Sequence, residues 1–290
     1  MPQDSSYLGL ALAVCTKELV ENLNIGSKKF TILLRMVSKM KILVIMGSLR
    51  KANTYRTVQK IEIVHQKIAD CEYEYVFLKD INFGLCKGCF SCISKGEEHC
   101  PLKDDRDWIV QKIEASDGVI LASPNYAANV SWLMKNCIDR FAYTCHRPKY
   151  FNQKFMLLVT SGSYMGVKDV MKTLAIMVSG GKITSRLSVF NSPGMNDKKI
   201  EKQEIKIKKA AEKFAKSLNK RSVSKPPFSY LIWFSAFKAS SVINKEGLPA
   251  DYEFYKNRDY FTDCKLNALQ KMSINTFTRF FRFMINRGFV

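Results

Sequence analysis

The run Lys41-Ile-Leu-Val-Ile-Met46 ends directly in Gly47-Ser48. It is too short for an ordinary helix and has no polar alternation. It therefore reads as a strand buried on both faces that enters a loop. The pattern repeats along the chain. Asn53 to Ile68 reads as a helix, with Val58, Ile61, Val64 and Ile68 at helical spacing. Glu72 to Leu78, Gly118 to Ala122, Lys154 to Thr160 and Ile183 to Phe190 read as further strands. Between them lie a helix capped by Asp104 and carrying Trp108, Ile109 and Ile113, then helices over Val130 to Phe141 and Val167 to Val178. Asp197 to Leu218 follows as a basic helix with Ile200, Ile207, Ala211, Phe214 and Leu218 on one face. Strands alternating with helices predict an α/β fold, a parallel sheet covered by helices on both sides. About 160 residues accommodate five such units.

This core is expected over residues 40–222. Residues 1–39 precede it, either as a helical extension or as the product of an upstream start codon with Met40 the natural start. The stretch Tyr7 to Val14 resembles a short signal core, but Asp4 precedes it and no basic segment does. It reads as non-secretory. No run of eighteen apolar residues occurs, so no transmembrane segment is expected. Beyond Lys225 the alternation stops, and residues 223–290 read as a mainly helical C-terminal extension. In it, Phe228 to Phe237 reads as a buried or partner-facing helix.

The chain carries 46 basic and 26 acidic side chains, a formal net charge of +20, yet more than half of that surplus lies from residue 197 onward. It is read as the solvated face of the last core helix and the extension; no nucleic-acid partner is expected from charge alone. A hydrophobic share of 47% excludes a wholly disordered chain. Nine cysteines in 290 residues are too sparse for a disulfide scaffold, and four of them fall between Cys86 and Cys100. That clustering points to a cofactor or redox loop in a reducing, cytoplasmic setting.

Gly47-Ser-Leu-Arg-Lys-Ala-Asn-Thr54 lies between a strand and a helix and is neither a Walker loop nor a dinucleotide fingerprint. It places Ser48, Arg50, Asn53, Thr54 and free backbone N–H groups at a helix N-terminus, chemistry suited to a phosphate monoester. The plainer alternative is a polar turn with Asn53 as a helix cap. This loop resembles that of the flavodoxin-like NAD(P)H-dependent FMN reductase family, with one residue fewer between the arginine and the asparagine. Two further segments resemble the family. Ala122-Ser-Pro-Asn-Tyr126 is followed by Val130-Ser131 and by Lys135, Asp139 and Arg140 on a helix, and Thr160-Ser-Gly-Ser-Tyr-Met-Gly166 follows the fourth strand. The resemblance covers roughly Met40 to Phe190. It implies a doubly wound five-stranded sheet of order 2-1-3-4-5, with FMN in the crevice where the order reverses. It also implies that Ser48, Arg50, Asn53 and Thr54 hold the phosphate. Pro124, Asn125, Tyr126 and Ala127, with Ser161, Gly162, Ser163 and Gly166, would line the flavin ring. Asp139 and Arg140 are also read as a plain ion pair on a helix surface, and Tyr126 as a packed tyrosine.

Cys86-Lys-Gly-Cys89-Phe-Ser-Cys92 and Cys100-Pro101 form a C-x2-C-x2-C-x7-C-P arrangement. Thiols at this spacing can hold a [4Fe-4S] cluster; zinc, or free thiols near the flavin, are the alternatives. The loop resembles that of the iron–sulfur flavoproteins, a branch of the same fold. Cys15, Cys71, Cys137, Cys145 and Cys264 read as structural or incidental, and His99 as a solvated loop residue.

The function expected is an FMN-dependent NAD(P)H oxidoreductase. Electrons pass from the nicotinamide co-substrate to a quinone, a nitroaromatic, free flavin or a protein acceptor. No catalytic side chain is expected beyond the flavin. The alternatives are an iron–sulfur flavoprotein acting as an electron carrier and a non-catalytic basic binding module. The resemblance also implies a homodimer or homotetramer, and an extension that packs across the domain or a neighbouring subunit and narrows the flavin site.

Overall fold

A computed structural model of the protein describes residues 39–219 and 226–289. The leader expected over residues 1–39 falls almost wholly outside the described residues, as does the boundary expected at 222/223. Six strands form one sheet: β1 (Met40–Met46), β2 (Cys71–Phe77), β3 (Gly118–Tyr126), β4 (Asn129–Val130), β5 (Lys154–Ser161) and β6 (Lys182–Phe190). Their order is β2-β1-β3-β5-β6, with β4 attached to the end of β3. β3 pairs in parallel with β1 and β5, and β5 with β6. This is the expected five-strand order once the two-residue β4 is set aside.

Helices α1 (Asn53–Gln66), α2 (Arg106–Ala115), α3 (Trp132–Arg140), α4 (Val167–Ile176) and α5 (Asp197–Leu218) connect or cover the strands. The core is the run of side chains predicted from the apolar strands. Val44, Ile45, Met46, Ile120, Leu121, Leu157 and Leu158 are all fully buried. Each such side chain contributes about 1.5–3 kcal/mol of transfer free energy. Gly118 opens β3 where a Cβ would lie 2.8 Å from the Phe214 ring, so the glycine lets α5 lie close against the sheet. Boundaries differ from expectation by up to four residues, most at β3, which runs past Ala122 to Tyr126. Val130 pairs with Asn125 as strand rather than starting a helix. Helix α3 begins two residues later, because the Ser131 side chain accepts the Met134 N–H and caps it.

The extension contains α6 (Phe228–Ile243), α7 (Pro249–Tyr255) and α8 (Ala268–Asn286). It has an aromatic core of its own, Leu231, Phe234, Tyr255, Tyr260, Phe261 and Ile274, onto which Phe151 packs from the loop before β5. The Tyr230 hydroxyl accepts the Gly180 N–H just before β6. These contacts seat the extension by the amino ends of β5 and β6. They lie at the other end of the sheet from the crevice it was expected to narrow. The described residues from Lys41 onward form one compact unit. Among the described residues no helix is long and apolar enough to cross a membrane.

Candidate flavin crevice and cysteine cavity

The three loops expected to meet do meet, at the carboxyl ends of β1, β3 and β5. In the first, Ser48 is buried; its hydroxyl donates to the Arg50 carbonyl at 2.7 Å and accepts the Arg50 N–H at 3.3 Å. That turn leaves the Arg50 side chain exposed. Asn53 is the first residue of α1 and not its cap. The cap position is Ala52, and no side chain caps the helix. The N-terminus of a 14-residue helix therefore has no side-chain acceptor of its own. Thr54 is buried, with Oγ1 2.6 Å from Thr160 Oγ1, which ties the first loop to the third.

The second loop is a two-residue hairpin turn. Ala127 and Ala128 lie at φ 49° and 61°, between the pairs Tyr126–Asn129 and Asn125–Val130. Such turns favour Asn-Gly; two alanines there store backbone strain of order 1–3 kcal/mol each. Asn125 Nδ2 donates to Ser161 Oγ at 3.0 Å and to the Met165 carbonyl at 2.7 Å, joining the second loop to the third. Its Oδ1 is buried without a hydrogen-bond partner. Ser161 Oγ donates to the Ser163 carbonyl at 2.6 Å. A Cβ at Gly162 would meet no atom within 4 Å. Tyr126, Tyr164 and Met165 are exposed around the same crevice. Ser131 joins the remaining pair of loops, donating to the Gly47 carbonyl at 2.5 Å. The uncapped helix end, the orphaned Asn125 oxygen and the open space at Gly162 fit a ligand with a phosphate at one end and a hydrogen-bonding ring at the other.

Cys86, Cys89, Cys92 and Cys100 line one cavity of about 260 Å³, with Asp139 and Arg140 on its wall. Cys86 and Cys89 are exposed, Cys92 is half-buried and Cys100 buried. Hydrogen bonds from Ser91 hold the Cys89 thiol below its ordinary pKa, while burial, then the neighbouring Cys100, raises that of Cys92. Among the described residues no three His, Cys, Asp or Glu side chains are close enough to hold a metal ion. The structure thus gathers the four thiols around one space without closing a ligand set. His99 sits beside Glu98 at 3.2 Å and does not line the cavity.

The cavity wall is anchored by α3. Asn136 Oδ1 accepts the Cys86 N–H at 2.9 Å, and its Nδ2 donates to the Gly84 carbonyl at 3.1 Å. Arg140 donates to that carbonyl at 2.8 Å, grips Asp104 with both Nη atoms at 2.6 and 2.7 Å, and lies 3.9 Å from Cys100 Sγ. Burial opposes the Asp104 charge. The Arg140 hydrogen bonds and the Gly84 and Arg106 N–H groups outweigh it and hold the carboxyl below its usual range. Two expectations are corrected here. Arg140 does not pair with Asp139, which instead pairs with Lys135 one turn back at 2.5 Å. Asp104 is not the cap residue of α2: that position is Asp105, which makes no side-chain cap bond, while Asp104 accepts the Arg106 N–H at 3.3 Å and is gripped by Arg140.

The family model described as NADPH-dependent FMN reductase matches residues 40–195, the span that holds all three crevice loops and the cysteine cavity. The chain belongs to the NADPH-dependent FMN reductase family. An FMN reductase by family, it is an oxidoreductase of the flavoprotein type. It is 32% identical over 155 residues to an iron–sulfur flavoprotein of Archaeoglobus fulgidus, covering 53% of this chain and 75% of that one. It is 31% identical over 206 residues to an iron–sulfur flavoprotein of Clostridioides difficile, covering 69% and 88%. A solved NAD(P)H:quinone oxidoreductase from Methanothermobacter marburgensis is 15% identical with a TM-score of 0.49, over 60% of this chain and 96% of that one.

In this chain the third loop depends on a close approach. Gly166 has φ 71°, and a Cβ there would lie 2.3 Å from Ala128 Cβ and 2.4 Å from its Cα. Gly166→Ala is expected to cost about 2 kcal/mol from the left-handed backbone and the clash together. Urea denaturation checks this; a midpoint unchanged from wild type would mean that the hairpin turn yields freely. The sequence motifs include Thr160 without assigning it a role, and they do not mark Asn136 or the Arg140–Asp104 pair. The regular Lys135, Asp139, Arg140 spacing was the one available signal for the last of these, and it named the wrong partner.

Proposed function

We propose that the chain binds FMN in the crevice at the carboxyl ends of β1 and β3 and transfers electrons to it from NAD(P)H. The reading rests on the uncapped α1 N-terminus beside Ser48, Arg50, Asn53 and Thr54, linked by hydrogen bonds to the other two loops. The N–H groups of α1 and the Arg50 side chain hold the phosphate monoester. Asn125 offers its free Oδ1 to a ring N–H. Backbone groups of Pro124–Ala127 and Ser161–Gly166 orient the ring edge, and Tyr126, Tyr164 and Met165 keep water from its face. When bound, FMN supplies hydride acceptance and release of one or two electrons. Quinones, nitroaromatics and free flavin are the small acceptors of matching chemistry.

A second reading is favoured by the four thiols around one cavity and by the names of the two relatives. Cys86, Cys89, Cys92 and Cys100 hold a [4Fe-4S] cluster, and electrons leave singly to a protein or soluble carrier. An absorption spectrum of anaerobically purified protein, before and after addition of NADH or NADPH, tests both readings. A protein with no flavin absorbance that fails to quench added FMN fluorescence sinks the first; stoichiometric FMN with no iron or sulfide sinks the second. Arg50→Ala is expected to weaken FMN binding about ten- to a hundredfold through loss of a charge-assisted hydrogen bond. Fluorescence titration measures it, and an unchanged dissociation constant would place the phosphate elsewhere.

A further inference from the structure

The extension reaches the cysteine loop through a buried ion pair. Asp251, in the first turn of α7, is 1% exposed and pairs with Arg147, which is also buried. Its second oxygen lies 2.7 Å from His146 Nδ1. Arg147 in turn enters the cysteine loop. Nη2 donates to the Cys92 carbonyl at 2.6 Å and Nη1 to the Ile93 carbonyl at 2.9 Å, and Glu97 lies 3.2 Å from Nη2. The Tyr255 hydroxyl, on the last turn of α7, donates to the His146 carbonyl and holds this segment from its other side.

A guanidinium bonded to two consecutive carbonyls fixes main-chain direction, and here the first of those two residues, Cys92, carries a cavity thiol. Burying such a pair is a poor way to gain stability, since apolar side chains of the same volume would serve as well or better. Its geometry serves position. We propose that the C-terminal extension is a clamp on the four-cysteine loop. Asp251 holds Arg147, and Arg147 fixes the main chain at Cys92 so that its thiol stays at the cavity. Both are positioning residues. The consequence for a bound cluster rests on the iron–sulfur reading above; the clamp itself does not.

The test is alkylation of the full-length chain by iodoacetamide after chelation of any iron, mapped by peptide mass. Cys92 is the reporter and the fully buried Cys137 an internal monitor of unfolding. Asp251→Asn is expected to speed modification of Cys92 about tenfold while Cys137 stays protected. An unchanged Cys92 rate with Cys137 protected overturns the clamp. If Cys137 also reacts, the decision passes to Asp251→Asn/Arg147→Gln, which leaves no unpaired buried charge. There, fast Cys92 with protected Cys137 supports the clamp, and either a slow Cys92 or a joint rise overturns it. Iron and sulfide analysis of anaerobic wild type separates the two ideas. A wild type without iron removes the cluster reading and leaves the alkylation result standing. With iron present, the variant is expected to lose it to a chelator at least threefold faster, and equal rates overturn the consequence for the cluster.

Discussion

Arg140→Met is expected to destabilise the protein by about 3–5 kcal/mol, the cost of leaving a buried carboxylate without its partner. The Arg140 and Asp104 side chains are 2% and 5% exposed, so water does not replace the lost donor. The same change removes one of the two α3 side chains that donate to the Gly84 carbonyl and anchor the loop leading to Cys86. Urea denaturation of wild type, Arg140→Met and Arg140→Met/Asp104→Asn separates the contributions. The double variant is expected to recover at least about 1 kcal/mol over the single one, because asparagine keeps an acceptor for the Gly84 N–H and carries no charge. A single-variant loss below about 1 kcal/mol, the range of exposed pairs, would show that solvent reaches the pair.

Acid is expected to weaken the fold through His65. Its side chain is 0% exposed, with Nδ1 2.9 Å from the Tyr73 hydroxyl and Nε2 without a partner. Burial lowers its pKa to about 4. Above the ordinary histidine value of about 6.5 the ring is neutral in both folded and unfolded chains, and it contributes no pH dependence. Below that value the unfolded chain takes up a proton that the folded chain refuses until about pH 4, so stability is lost across this window. The loss attributable to His65 reaches about 3 kcal/mol at its acid end. His65→Asn is expected to flatten the fall in unfolding free energy between pH 7 and pH 4 by that amount, whatever its cost at neutral pH. Parallel pH profiles for the two proteins would mean that the ring protonates in place.

What the sequence made legible follows from the range of the forces involved. The strands of the core are local apolar runs, and their order followed from the resemblance carried by three loops. Ser48, Thr54, Asn125 and Ser161 stood at the ends of strands or just beyond them, where the sheet dictates position, so their convergence was readable. Thr160 opened the third of these motifs, but its role was not readable: it is set by Thr54 arriving opposite it from more than a hundred residues away. Arg140 illustrates a different limit. On a helix, a neighbouring acid offers an obvious local pairing, whereas Asp104, 36 positions away, takes Arg140 through two hydrogen bonds between buried side chains. The Arg147–Asp251 link spans 104 positions, and nothing in either local segment marks it. Charge pairs that close over long separations depend on tertiary packing, which periodicity does not encode.

Helix α3 carries Ser131 against the Gly47 carbonyl at its start and Asn136 and Arg140 against the cysteine loop at its end. Nine residues extend about 13 Å, and each residue also advances the helix by about 100°. The distance between crevice and cavity is therefore quantised. One inserted residue would not merely lengthen the spacer; it would swing Asn136 and Arg140 a quarter-turn off their carbonyls. Evolution can remodel the loops at either end of this rod residue by residue, but its length can change only in whole turns.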